Sequence, residues 1–508
     1  MSSINTMIPF AAGFYSNQRN TSRLLDMRTQ LDDLRRQIST GQRSETYGGL
    51  GIQRVSSLTF RNQIGVAQGY SDVIDVTNTR LKLMTQSTDE LKTLTQGTQS
   101  VILKTRGTGG YPEITSAVQQ VQAQFEQMVS SLNTQDGGLY VYSGRSRDVK
   151  PVVDANTLML GDGTNAGLRQ VVDERRQADL GTGLCRMTTS LVGATTTLSE
   201  DAAGNPFGIK LVAGTVGGGM SNVTVTGPAG APSAVNFAFT GQPLTGERVS
   251  VTVRMPDGKT MNLGFAVDTA GTSDDTVFTL GATPALTAAN LQSAITSRLT
   301  AIGQGELRSS SAQVAAQEFF SGSNTNPPPR VSGPPFATAT AYAAPGARPT
   351  VIWYQGDDDT TVNARDTQKA EVDSGTSISF GARANEAAFR DSLVAMGVIL
   401  SDDYPPGVPS TQDRFDASTA RAIQTLNSTG GPNAILQING DFGRGTAQVI
   451  DAKARHGDRK LVLNGLLSDI ESASTEEVAA SLSSLQTQLQ ASYQVTSSLS
   501  KLSLANYL

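Results

Sequence analysis

The stretch LLDMRTQLDDLRRQI (24–38) has an apolar residue at every third or fourth position. The residues in this row are Leu24, Met27, Leu31, Leu34 and Ile38. Alternating steps of three and four residues predict an amphipathic helix with one narrow apolar face. Such a helix is marginal by itself in water, because nucleation is costly and its apolar face stays hydrated. The stretch therefore predicts a helix that needs a partner.

A second row of the same kind lies near the other end of the chain. It begins at Leu482, Leu485 and Leu489, is interrupted by serine and threonine, and resumes at Leu499 and Leu502. Two narrow apolar faces at opposite ends of a chain are expected to pack against each other or against neighbouring copies. We interpret both rows as assembly interfaces.

The composition limits the classes of function. The chain has 508 residues, enough for several domains, but only 38% are hydrophobic and 6% aromatic, so its cores are expected to be lean. Its formal net charge is −5, and its charges are mixed along the chain. A nucleic-acid partner is therefore not expected.

Cysteine and histidine are almost absent from the chain. Cys185 and His456 are the single residues of their types, which excludes an intrachain disulfide and a Cys/His metal site. Three consecutive carboxylates, Asp357 to Asp359, leave a site for a hard cation open, although a solvated acidic turn is favoured. We expect no metal and no cofactor.

The N-terminal stretch MSSINTMIPFAAGFYSNQRN (1–20) has no basic start followed by an apolar run, so a cleaved secretory signal is not expected. No stretch is apolar over the length that spans a bilayer, so membrane insertion is not expected either. The protein is then either cytoplasmic or exported by a route that cleaves no signal.

Changes of hydrophobic period divide the chain into five segments, and they predict an α+β multidomain protein. Its long terminal helices are expected to form a coiled-coil or helical-bundle core, and a β-rich inserted outer domain lies between them. The segments are an N-terminal assembly helix (1–43), a long-helix bundle with a β-hairpin (44–185), the β-rich α+β insert (186–350), a strand pair and helices returning to the bundle (351–440) and a C-terminal assembly helix (441–508).

Individual elements are predicted within these segments. One helix is expected over 14–39 and another over 52–106. Alternating apolar residues on both sides of Pro256-Asp257-Gly258 predict a hairpin over 249–267. A strand is expected at 351–354, and a last long helix at 445–505, with Gly457 and Gly465 as the candidate points of interruption.

Other conspicuous residues favour structural roles. Trp353, Tyr140 and Tyr142 are expected in the core of a small sheet. The charged run LRQVVDERRQADL (168–180) is expected on a solvated surface, with its arginines paired to its own carboxylates. The basic run 453–460 is expected either to face solvent or to meet acidic residues of a neighbour.

The chain lacks residues that the usual catalytic arrangements need. A zinc protease needs two histidines, and a Ser-His-Asp or Cys-His arrangement would depend on His456, which lies in a helical assembly segment. Hydrolysis by a carboxylate pair stays open, but the insert has few aromatics to line a carbohydrate cleft. We do not expect an enzyme.

Several passages resemble the flagellin superfamily, and within it the hook-associated proteins of the hook–filament junction. They are QLDDLRRQISTGQR (30–43), SSLNTQDGGLYVYSGRSRDVKPVV (130–153), WYQGDDD (353–359) with SGTSISFGA (374–382), LVLNGLLSDIESAS (461–474) and LQTQLQASYQVTSSLSKLSLANYL (485–508). The ending LSLANYL is closer to junction proteins than to filament flagellins. SETYGGLG (44–51) departs from the family pattern.

The resemblance implies a structural subunit of the bacterial flagellum that joins hook to filament. Its terminal helices would form inner coiled-coil layers lining a channel, and the insert would project outward. Its partners would be other copies in a ring or tube, a hook-associated protein on the hook side, flagellin on the filament side, and an export chaperone at the C-terminal helix.

The resemblance also implies an extracellular location, reached unfolded through the flagellar type III apparatus. Two alternatives stay open. One is a filament flagellin, and the other is a surface adhesin displayed through the insert at 186–350.

Overall fold

The computed structural model describes residues 8–107, 110–268, 276–428 and 430–505, without the side chains of residues 8–17, 215 and 499–505. Over these ranges the chain is a mixed α+β protein with long helices and several small sheets. It divides into two compact units. Unit 1 comprises residues 1–76, 371–376 and 449–508, and unit 2 comprises residues 77–370 and 377–448.

The α-helices are α1 (Ile8–Thr40), α2 (Arg54–Thr105), α3 (Tyr111–Leu132), α4 (Ala155–Leu160), α5 (Leu168–Leu180), α6 (Pro284–Gln304), α7 (Glu306–Ser321), α8 (Ala387–Leu400), α9 (Ser410–Asn427), α10 (Pro432–Glu471) and α11 (Thr475–Ala505). The strands are β1 (Gln135–Asp136), β2 (Leu139–Tyr140), β3 (Met187–Val192), β4 (Thr195–Glu200), β5 (Lys210–Gly219), β6 (Val223–Ala229), β7 (Ala234–Phe239), β8 (Arg248–Arg254), β9 (Thr260–Asp268), β10 (Val277–Thr279), β11 (Lys369–Asp373) and β12 (Thr376–Ser379).

Unit 1 is built from long helices. α1 ends where the sequence predicts, because Gly41 adopts a left-handed conformation with φ +67° that ends a helix readily. The start of α1 was predicted too late: the helix begins at Ile8, and Pro9 is tolerated in its first turn, where no backbone donor is lost.

The C-terminal segment is not one helix, which corrects the prediction for 445–505. The chain breaks between α10 and α11 at residues 472–474, rather than at the glycines of α10. Ser474 starts the new helix: its hydroxyl accepts a hydrogen bond from the N–H of Glu477 (3.3 Å), and its carbonyl accepts one from Val478 (2.9 Å). This is the usual role of serine at a helix N-cap.

Unit 2 has two four-stranded sheets, with the strand orders β3-β4-β7-β6 and β10-β9-β8-β5. The predicted hairpin is confirmed: β8 and β9 are antiparallel, with Val249 opposite Phe265 and Val253 opposite Met261. α6 covers the inner faces of the strands, and its Leu291 and Ile295 are buried in the same core. Alternation along the strands thus produces one apolar core between sheets and helix.

The helices of unit 2 surround a second buried region. α7 packs against α5, α8 and α9, and α8 is buried along almost its whole length. Trp353 and Tyr142 are buried, as expected for core residues, whereas Tyr140 is half-buried. The indole of Trp353 donates a hydrogen bond of 2.7 Å to the carbonyl of Phe320.

The strand predicted at 351–354 does not form, which corrects that prediction. The segment makes isolated pairings instead: Val152 bridges Tyr354, and the N–H of Val351 bonds the carbonyl of Ala166. Pro151 and Pro349 flank these pairings, and proline has no N–H with which to extend a ladder.

Candidate assembly surface

The apolar rows of the two terminal segments meet within unit 1, where α1 packs against α11. Leu31, Leu485 and Leu489 form a buried cluster between the helices. Leu24, Met27 and Leu34 pack against it and are partly buried. Each fully buried leucine contributes about 1.5–3 kcal/mol. The cluster is therefore a small core for two helices of this length.

The remaining residues of the predicted rows lie elsewhere. Ile38 is 44% exposed, and Leu482 is half-buried but outside the cluster. The side chains of Leu499 and Leu502 lie outside the described residues. In the described part of the seam, the cluster thus contains the first four residues of the N-terminal row and two residues of the C-terminal row.

A backbone connection joins the end of α1 to the break between α10 and α11. The N–H of Arg43 bonds the carbonyl of Glu471 (2.7 Å), and the N–H of Ala473 bonds the carbonyl of Gly41 (2.9 Å). Between them, Gln42 and Ser472 form an antiparallel bridge. This pairing connects the end of α1 to the turn from which α11 starts.

A charged cluster lies beside this turn. Arg61 donates from Nε (2.9 Å) and Nη2 (2.5 Å) to the two carboxylate oxygens of Glu471, and the hydroxyl of buried Ser57 donates to Glu471 Oε1. The hydrogen bond from Arg61 holds the pKa of Glu471 below its usual value. Bidentate pairing of this kind fixes direction as well as charge.

The basic run on α10 only partly matches the solvated face that the sequence predicts. His456 is buried: its Nε2 is 2.7 Å from the carbonyl oxygen of Val372, and its ring stacks on Tyr70. Lys453 pairs with Asp75, and Lys460 with Gln68. His456 is therefore a packed structural residue with two contacts that the sequence does not indicate.

Unit 1 leaves many large apolar side chains exposed on its helices and on the 47–53 turn. They include Leu25, Ile38, Tyr47, Ile52, Val55, Leu58, Val66, Val76, Ile450, Leu461, Val462, Leu466, Tyr493 and Val495. Single exposed apolar residues are ordinary, but contiguous ones mark interaction sites.

The outer face of α2 shows this arrangement clearly. At 3.6 residues per turn, Val55, Leu58, Val66 and Val76 fall within about 80° of the helix circumference. Gly69 lies in the same stripe, and a Cβ there would meet nothing within 4 Å. The buried face of the helix, with Ala67 among its residues, is on the opposite side. Over the described part of the chain the apolar side chains of this stripe stay exposed, so α2 has a second apolar face there.

Unit 2 contains buried charges where the sequence predicts a solvated run, so that prediction is wrong. In α5, Glu174, Arg175, Arg176 and Asp179 are all buried. Arg175 pairs with Asp179 in the same helix (2.9 Å), whereas Arg176 and Glu174 also pair with residues far away in sequence. Arg176 pairs with Asp402, and Glu174 with Arg330 and Arg348.

The consecutive aspartates form neither a cation site nor a solvated turn. Asp357 is buried and accepts hydrogen bonds from Arg145 and Arg383. The Arg145 hydrogen bond outweighs the opposing effect of burial and holds the pKa of Asp357 far below its usual value. Asp359 also bonds Arg145. Over the described residues, no group of three His, Cys, Asp or Glu side chains is arranged to hold a metal ion.

Cys185 is a core residue of the sheet region. Its thiol donates to the carbonyl of Leu299 (3.1 Å), and burial raises its pKa to about 12. The thiol therefore stays protonated at neutral pH, which removes its nucleophilic character.

Two further findings bear on identity. Within the described parts of the chain, every helix is too short or too polar to cross a membrane. No protein-family model matches the chain, and no curated protein is significantly similar to it in sequence.

Proposed function

We propose that this protein is a structural subunit of the bacterial flagellum, a hook-associated protein of the hook–filament junction. The observation that carries the proposal is the underfilled seam between α1 and α11, together with the exposed apolar faces of unit 1. The resemblance of five passages to the flagellin superfamily supplies the particular identity.

The mechanism we propose is stabilisation by neighbours. A seam with one small leucine cluster holds weakly in a single chain. Copies that pack side by side cover the exposed apolar faces, and this burial is gained only in the assembled state. The terminal helices then form the inner coiled-coil layers of a ring or tube. A subunit of this kind stays unassembled until many copies meet.

The two four-stranded sheets with α6 are, in this proposal, the inserted outer domain that projects from the tube. The subunit acts without catalysis. Its neighbours are a hook-associated protein on one side and flagellin on the other. It reaches the cell exterior through the flagellar export apparatus, and a chaperone holds its C-terminal helix before export.

Immunogold electron microscopy of sheared flagella tests the proposal. An epitope fits at the β3–β4 turn, because Val192 is 78% exposed and a Cβ on Gly193 would meet open space. The tagged strain must swim like its untagged parent, which serves as the labelling control. We expect a single narrow band where hook meets filament.

Other labelling patterns contradict the proposal in distinct ways. Label along the whole filament identifies a flagellin instead. Label on the cell body alone, with binding of the tagged protein to host cells or glycans, identifies an adhesin. Flagella without label in a swimming strain that expresses the tagged protein remove the flagellar assignment.

A further inference from the structure

Two arginines share one carboxylate in the interior of unit 2. Arg330 donates from Nε (2.9 Å) and Nη2 (2.6 Å) to Glu174, and Arg348 donates from Nη1 and Nη2 (both 2.8 Å) to the same carboxylate. Glu174 and Arg330 are each more than 95% buried. Two guanidinium charges thus face a single carboxylate, which leaves one positive charge in excess.

The ionisation of Glu174 supports this count. Burial alone would raise its pKa, but the hydrogen bonds and charges of Arg330 and Arg348 outweigh burial and hold the pKa below its usual value. The carboxylate is therefore ionised at neutral pH, and the excess charge is one rather than two.

A cavity of about 290 Å³ lies against this pair. Its lining includes Arg330, Arg348, Thr164, Asn165 and Gln170, and most of its lining surface is polar. The volume is that of a small ligand of roughly monosaccharide size. Hydroxyl, amide and guanidinium groups are the donors that proteins use for carboxylate and phosphate.

The N-terminus of α5, beside the cavity, also favours binding of an anion. α5 begins at Leu168, between the lining residues Ala166 and Gln170, with no acidic residue in its first turn and no side-chain cap. The free N–H groups of a helix N-terminus attract negative charge. Asp162, in the loop that contains Thr164 and Asn165, already accepts hydrogen bonds from the N–H groups of those two residues and from the Asn165 amide.

Arg348 still has donor capacity toward a ligand. Its hydrogen bonds go from Nη1 and Nη2 to Glu174 and from Nη1 to the carbonyl of Val331. A guanidinium carries five N–H donors, so Nε and one N–H of Nη2 are left over. The face of Phe336 lies 4.8 Å below the guanidinium and holds its plane.

From this geometry we propose that the cavity between the 161–166 loop and the Arg330–Arg348 pair binds a small organic anion, through a carboxylate or phosphate group. Arg348 supplies the charge. The Thr164 hydroxyl and the second amide N–H of Asn165 and of Gln170 supply orienting hydrogen bonds, since the first N–H of each amide bonds Asp162 and Glu174 respectively. This site is independent of assembly and needs no change in unit 1.

Titration calorimetry on the full chain tests the site, with glucuronate, inorganic phosphate and neutral glucose as probes. We expect saturable binding of glucuronate, of phosphate or of both, and none of glucose. Glucuronate alone indicates a sugar acid as the natural ligand, and phosphate alone indicates a phosphate ester. Binding of both indicates a site for the anionic group itself.

Two variants and one control localise the binding. Arg348→Gln leaves the Glu174–Arg330 pair neutral, and we expect it to weaken binding at least tenfold. Gln170→Trp fills the exposed side of the cavity without a change of charge. It also removes the 3.1 Å hydrogen bond that Gln170 donates to Glu174, and it should weaken binding to the same extent. Arg169→Gln removes the same charge from α5 outside this cavity and should bind like the wild type.

The proposal is overturned if the wild-type chain binds neither anion saturably. It is equally overturned if Arg348→Gln and Gln170→Trp, both folded by circular dichroism, bind as tightly as the control. Because Gln170 is exposed, its variant keeps the test valid even where loss of Arg348 disturbs folding.

Discussion

Arg61 and Glu471 are 410 positions apart in sequence, yet the Arg61 guanidinium donates hydrogen bonds to both carboxylate oxygens of Glu471. The pair lies beside the backbone bridge between Gln42 and Ser472. Glu471, at the end of α10, thus accepts hydrogen bonds through both its carboxylate and its main-chain carbonyl. This relationship fixes the turn from which α11 starts back along α1.

We expect Glu471→Gln to loosen this turn, because the bidentate ion pair with Arg61 becomes a single neutral hydrogen bond. The pair is partly exposed, so the loss in stability is at most about 1 kcal/mol. Hydrogen exchange should detect it as faster exchange of the Arg43 and Ala473 amides. Glu477→Gln removes an exposed carboxylate in the first turn of α11 and should leave those amides unchanged. Equal protection in both variants would contradict the role we give to the pair.

The leucine cluster leads to a prediction about assembly. Leu31→Asp combined with Leu485→Asp places two charges in the buried seam, so we expect the terminal helices to separate and incorporation into flagella to be lost. Trp353 reports on unit 2 and should keep the emission of a buried indole. The measurement is immunoblotting of sheared flagella alongside tryptophan fluorescence of the purified chain.

A matched control adds the same charges elsewhere on the two helices. Thr29→Asp with Ser484→Asp alters exposed positions of α1 and α11, and this variant should incorporate normally. Normal flagella containing the Leu31/Leu485 variant would show that the seam plays no part in assembly.

The outer face of α2 gives a test that separates assembly from folding. Val66 is 51% exposed, so Val66→Asp should leave the melting temperature of the isolated chain nearly unchanged. If neighbouring copies cover this face, the same change should reduce incorporation severalfold. Ser56→Asp, on a different side of the same helix, is the control. Equal incorporation of the two variants would mean that this face stays in solvent.

Part of the fold is predictable from local sequence. The β8–β9 hairpin follows from alternation on both sides of a Pro-Asp-Gly turn, and the end of α1 follows from Gly41. The leucine rows likewise predict which residues face a partner. These features depend on neighbours within about ten residues, which is the range over which periodicity and turn chemistry act.

The partners of the charged residues could not be predicted from local sequence. The run 168–180 looks like a solvated surface, but its Glu174 meets arginines about 160 positions away. A charge pattern along one helix does not reveal whether distant partners neutralise it in the interior. Nothing in the local sequence around Arg61 or Glu471 likewise indicates that the fold pairs them. All six residues that pack between α1 and α11 belong to the predicted rows, whereas the Arg61–Glu471 ion pair was not predicted.

Glu174 and its neighbour Asp173 form a matched pair for testing burial. Glu174→Gln leaves the buried Arg330 and the half-buried Arg348 without their counter-charge, and we expect a loss of about 3 kcal/mol in stability. Asp173 has a side chain that is 63% exposed, so Asp173→Asn should change stability little. Thermal unfolding followed by Trp353 fluorescence measures both. Similar melting temperatures for the two variants would mean that Glu174 is solvated, as the sequence predicts for the run 168–180.

Asp357 predicts how the stability of unit 2 depends on pH. Its pKa in the folded chain is far below the value of about 3.9 that an unfolded aspartate has. A lowered pKa stabilises the fold above the unfolded value, and this stabilisation is lost as the pH falls toward the folded value. Asp357→Asn should therefore melt well below the wild type at neutral pH, because Arg383 loses its partner.

The gap between the wild type and Asp357→Asn should then narrow as the pH falls from about 4 toward the folded pKa of Asp357, because the unfolded wild-type chain takes up a proton there while the folded carboxylate is still held ionised by its arginines. Asp358→Asn changes the adjacent half-buried aspartate, which forms no ion pair with an arginine among the described residues, and should follow the wild type at every pH. Thermal unfolding at a series of pH values down to about 2 provides the comparison. A constant gap over the whole range would mean that the destabilisation comes from altered packing, and that the ion pairs of Asp357 contribute nothing to stability.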